Sequence, residues 1–76
     1  MENLSQIRPG DRVEIVDLPQ NCPLRLPLQQ FGIVNGSIVY CRYCSPGGEL
    51  AAIECEGGVV ALRLRELSRI AVRYCV

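Results

Sequence analysis

The chain contains no histidine and no lysine; all eight of its basic residues are arginine. Histidine is the side chain whose charge changes near neutral pH, so the commonest carrier of acid–base catalysis is missing. Excess charge of either sign is missing too: eight arginines stand against eight acids, for a formal net charge of zero. Phosphate contacts supply most non-specific nucleic-acid affinity, so a balanced chain is expected to have no nucleic-acid partner. No apolar run approaches the roughly 18 residues of a membrane span, and the chain is not expected to be membrane-inserted. The first five residues carry an acid and no apolar stretch, so no secretory leader is expected. A soluble, cytoplasmic protein follows as the expectation. No G-x-x-x-x-G-K-[ST] phosphate loop occurs.

What is present is short β-compatible runs punctuated by glycine. Seventy-six residues make one domain, read as 1–76. Pro9-Gly10-Asp11 is a turn signal, after which Val13 and Ile15 alternate with Arg12 and Glu14 as in a half-buried strand. Pro19 to Pro23 is a loop. Leu24, Leu28 and Phe31 then mark one face of a short helix, with Pro27 tolerated only in its first turn and Gly32 just past its end. Leu26 falls off that face and is expected to be exposed. Ser37 to Cys44 reads as a strand, Ser45 to Gly48 as a turn, and Ala51, Ile53 and Cys55 as the inner face of the next strand. Gly57-Gly58 is expected to make a tight hairpin turn into Val59–Arg63. One helical or 3-10 turn at 64–68 and a last strand carrying Ile70, Val72 and Tyr74 complete the chain. Gly10, Gly32, Gly36, Gly47, Gly48, Gly57 and Gly58 are thus read as structural turn residues. About five short strands and one short helix predict a small, all-β, partly closed barrel, since closure removes exposed sheet edges.

Five cysteines raise a metal or redox reading. Cys41-Arg-Tyr-Cys44 has the spacing of a zinc knuckle or a redox pair. In a regular strand, however, residues three apart point to opposite faces with Cα atoms roughly 10 Å apart. A disulfide tolerates about 7 Å, so the pair cannot cooperate unless a bulge bends the strand there. Cys41, Cys44, Cys55 and Cys75 are therefore read as reduced, small apolar core residues. Cys22, in its proline-bracketed loop, is expected to be more exposed and is the single candidate ligand for Fe(II) or zinc. Asp11, Glu14 and Asp17 lie along or beside one strand, and Glu54 and Glu56 on the outer face of another, so no carboxylate pair converges for catalysis. Arg63, Arg65, Arg69 and Arg73 form a basic end, read either as a solubilising face or as a patch for an acidic partner surface.

Four motifs stand in register: Pro9-Gly10-Asp11, Leu28-x-x-Phe31-Gly32-Ile33-x-x-Gly36-Ser37-x-Val39, Ser45-Pro46-Gly47-Gly48 and Val60-Ala61-Leu62-Arg63. Together, from about Ile7 to Val72, they resemble the FeoA family. The resemblance implies an SH3-like barrel that is not an enzyme and needs no cofactor. It implies a cytosolic accessory of ferrous iron transport that binds the cytoplasmic side of the FeoB-type membrane GTPase transporter. Two positions depart from the family pattern: Arg25-Leu26-Pro27 keeps one base where members carry several, and Phe31 replaces a leucine. Arg25, Leu26, Phe31 and Ile33 are the expected partner contacts. The alternatives are a transition-metal module using thiolate and carboxylate ligands, and a stand-alone protein-binding domain like that of DtxR-type repressors.

Overall fold

The structure, a computed structural model, describes residues 2–75. Six antiparallel strands form a single sheet: β1 (Glu2–Asn3), β2 (Arg12–Asp17), β3 (Ile38–Cys44), β4 (Leu50–Cys55), β5 (Gly58–Arg63) and β6 (Ala71–Tyr74). The order across it is β1-β6-β2-β3-β4-β5. The chain meanders from β2 to β5, then returns to lay β6 against β2. Val13 faces Val39 of β3, and Ile15 faces Val72 of β6. Both sit at 0% exposure, as the alternation predicts.

Leu62 from β5 and Val72 from β6 belong to the same buried cluster as Val13, Ile15, Val39 and Ile53, so the sheet curls round one core. Fully burying a side chain of this kind stabilises by about 1.5–3 kcal/mol, which is how so small a domain holds together. The outermost strands, β1 and β5, are not hydrogen-bonded to each other. Two 3-10 turns, Leu4–Gln6 and Leu64–Leu67, pack together instead and set Leu4 and Leu67 into the core. The all-β, partly closed architecture matches the expectation.

Three details differ from it. A sixth strand, β1, stands ahead of the Pro9-Gly10-Asp11 turn, where no strand is expected. It is fixed by a capping box in which the Asn3 side chain accepts from Ser5 N at 3.0 Å and Asn3 N donates to Gln6 Oε1 at 3.3 Å. At the β4–β5 hairpin, Cys55 pairs with Gly58, so the two turn residues are Glu56 and Gly57, and positive φ falls on Gly58. The third difference is a bulge in β3, where the register against β4 shifts between Cys41 and Tyr43.

The helix α1 (Arg25–Gln30) sits in the long connection from β2 to β3. Pro27 lies in its first turn, where no intrahelical N–H partner is lost. Gly32, at φ +81°, ends it: Gly32 N donates to Gln29 O and Ile33 N to Leu28 O, both at 2.9 Å. This is a Schellman closure, and Leu28 and Ile33 are both buried beneath it, each at 1% exposure.

Candidate docking surface and cysteine positions

Successive residues of a helix are rotated by about 100°, so Leu26 points nearly opposite the buried Leu28. It is 64% exposed, the outermost apolar side chain of α1. Phe31, at the C-terminal end, is 37% exposed, and Val34 in the following loop 43%. Arg25 is half-buried: its guanidinium donates to the Leu18 carbonyl and lines a 200 Å³ cleft with Gln29, Val34 and Asn35. Asn35 closes that cleft, its Oδ1 accepting from Leu18 N at 2.8 Å. On the other flank, Pro23 and Leu24 meet Arg65, Glu66 and Arg69 around a cleft of 290 Å³. The sequence offers the apolar helix and the basic end as separate docking candidates; the fold joins them along this cleft. Folding of the 64–68 turn onto the Cys22–Leu24 loop does this, and no local pattern announces it.

Ile33 does not belong to this surface. The Schellman closure turns it inward beneath the helix at 1% exposure, so the expected partner contact is a core residue. Arg63 and Arg65 line a further cleft beside Glu49 and Leu50, and Arg73 lies 3.7 Å from Glu14 on the outer face.

The end of α1 is seated on the β4–β5 hairpin. The Phe31 carbonyl lies where a side chain on Gly57 would fall, 2.5 Å from an ideal Cβ, and Cys55 Sγ donates to the same oxygen at 3.3 Å. Gly57 is therefore required by close approach of two backbones, not by a left-handed turn conformation.

Cys22 overturns its expectation as well. The turn from Pro19, closed by Cys22 N donating to Pro19 O at 3.1 Å, folds the thiol into the core, where it is 4% exposed. Only the edge of the residue reaches the cleft beside Pro23 and Leu24. Among the described residues, no group of three or more cysteine, aspartate or glutamate side chains converges to hold an ion. Cys55 and Cys75 are half-buried.

Cys41 and Cys44 meet. The β3 bulge sets them opposite Ile53 and Ala51, two inward positions of β4, and their sulfurs lie 3.8 Å apart in a thiol–thiol hydrogen bond. Cys41 is 2% exposed, while Cys44 is half-buried. Burial pushes the Cys41 thiol up to about 12, and the Cys44 hydrogen bond and the negative charges of Cys44 and Asp11 push the same way. The run Cys41-Arg-Tyr-Cys44 carries no glycine or other bulge signal, which is why alternation misplaces the pair.

A family model for the FeoA domain matches residues 2–74. The chain belongs to the FeoA domain family. No curated protein matches it. Among solved structures, the FeoA-like protein of Clostridium acetobutylicum superposes with a TM-score of 0.86 at 23% identity, over 99% of this chain and 87% of its own. FeoA of Chlorobium tepidum gives 0.85 at 26% identity, over 97% of this chain and 70% of its own. FeoA of Stenotrophomonas maltophilia, solved with zinc, gives 0.75 at 26% identity, over 96% of this chain and 91% of its own. That protein is described as a prokaryotic SH3 domain protein and a candidate activating factor of ferrous iron transport. The six-stranded sheet of the present FeoA domain shares this SH3-like architecture. Among the described residues, no three cysteines or carboxylates gather into the ligand cluster that a zinc ion takes.

Proposed function

We propose that this FeoA-family protein is an accessory factor of ferrous iron transport. It binds the cytoplasmic side of an FeoB-type membrane GTPase transporter and adjusts its assembly, gating or nucleotide cycle without chemistry of its own. Family membership across residues 2–74 supports the transport assignment, and the FeoA relative described as a transport-activating factor supports a regulatory role. The observation that carries the docking surface is Leu26: a leucine held 64% exposed on a helix whose opposite face is anchored in the core. A large apolar side chain displayed on a rigid element, with Arg65 and Arg69 lining the cleft beside Leu24 of the preceding turn, suits a partner surface with an apolar pocket and acidic rim.

The test is recovery of the transporter's soluble cytoplasmic domains by immobilised wild-type and Leu26→Glu protein. The expected outcome is at least a tenfold loss of apparent affinity, matching about 1.4 kcal/mol or more for a central apolar contact. Equal recovery of the partner by both proteins removes α1 from the interface.

A further inference from the structure

We propose that Cys41 and Cys44 form a reversible dithiol–disulfide couple, closed by exchange with low-molecular-weight disulfides. It stands apart from the docking surface, lying on β3, and does not depend on the transporter reading. Three observations carry it. The sulfurs are 3.8 Å apart, within hydrogen-bond reach of each other. The bulge sets the two residues opposite positions only two apart on β4, for which the strand rise of about 3.3 Å per residue gives roughly 6.6 Å between Cα atoms, near the upper end of the span of about 6.8 Å that a disulfide bridges. The two thiols differ in access, one half-buried and one 2% exposed.

A separation of 3.8 Å also suits one edge of a tetrahedral zinc site, since two Zn–S bonds of about 2.3 Å subtend nearly that distance. Such a site needs further ligands, and the described residues bring no third one to this pair. The structure therefore favours sulfur–sulfur chemistry.

The reaction runs in two exchanges. The Cys44 thiolate attacks one sulfur of a small disulfide RSSR, breaking its S–S bond and expelling RS⁻, which takes up a proton. The Cys41 thiol then gives up its proton to solvent, and its thiolate attacks the Cys44 sulfur of the mixed disulfide, expelling a second RS⁻. Both cysteines are oxidised by one electron each, and RSSR is reduced to two RSH. The groups facing Cys41 are Cys44 on its own strand and Asp11 at the entrance to β2; once Cys44 is a neutral mixed disulfide, burial and the Asp11 charge still hold the Cys41 thiol protonated. The second exchange is accordingly the slow one and accelerates about tenfold per pH unit through the neutral and mildly alkaline range.

The experiment treats the reduced full chain with excess oxidised glutathione and follows intact mass. The expected product loses the mass of two hydrogen atoms and regains it on reduction with dithiothreitol. Trypsin cuts after Arg42, between the two cysteines, so in Cys55→Ala protein the bond is read as peptides 26–42 and 43–63 remaining joined. In Cys41→Ala protein the glutathione adduct on Cys44 persists, and in Cys44→Ala protein peptide 26–42 carries no adduct on Cys41 on the time course of the wild type. Stable adducts without joined peptides, adduct formation at Cys41 as fast as at Cys44, or stoichiometric protection of both thiols by zinc ion alone would each overturn the proposal. The wild-type reaction needs no substitution, so misfolding of a variant leaves the test intact.

Discussion

Gly57 and Gly47 are both turn glycines without positive φ, yet their neighbourhoods differ. A Cβ on Gly57 meets the Phe31 carbonyl at 2.5 Å, while one on Gly47 meets nothing within 4 Å. Gly57→Ala is expected to lower stability by about 1–3 kcal/mol, as for overpacking against backbone. Gly47→Ala should be neutral or stabilise by up to about 1 kcal/mol, because it restricts only the unfolded chain. Urea denaturation of the two variants side by side checks both. A second prediction at this scale concerns alkaline pH. Burial raises the Cys41 thiol from 9.0 to about 12, so the unfolded chain releases this proton at lower pH than the folded one. The contribution is complete below pH 9 and is lost as pH rises from there toward 12. Burial raises Tyr74 above 10.0 as well, and its loss of stability runs in the same direction. Urea midpoints in reducing buffer should fall across this window, and less steeply in Cys41→Ala; parallel curves would contradict the assignment.

At the scale of elements, α1 has only six residues, far short of the length at which a helix is stable alone. It is held by Leu28 in the core, by the closure at Gly32 and by the seat on Gly57. Leu28→Ala should cost about 2–5 kcal/mol and weaken partner binding as well, whereas Leu26→Glu should leave the unfolding free energy within about 0.5 kcal/mol of wild type. Comparing stability with binding in both variants separates support of the helix from contact through it. The helix was legible because Pro27, the leucine spacing and Gly32 are local signals read within one turn. So were β2 and β6, whose inner residues alternate. β1 was not, because two residues carry no period and their pairing with β6 is set by distant Ala71 and Val72. The positions of Cys22, Ile33 and the Cys41–Cys44 pair were not legible for a related reason. Each depends on a backbone reversal or bulge that moves a side chain from one face to the other, and alternation assumes none.

For the whole molecule, the balance of eight acids and eight arginines puts the isoelectric point at about 6.2. Net charge near zero promotes association, so solubility should pass through a minimum near pH 6.2 and recover on either side. Light scattering against pH at low salt checks this. Exposed ion pairs such as Arg42–Glu54, 2.7 Å apart, add little to folding and leave the curled sheet dependent on its core. One junction of that sheet has a wider meaning. Where the helix comes to rest on the β4–β5 hairpin, main chain touches main chain, and the inward-facing Cys55 thiol donates to the same Phe31 carbonyl. The helix's station at this end therefore does not depend on Leu26, its most outward apolar residue. Its display face is free to be rewritten, one partner's needs at a time, while the pedestal beneath stays put.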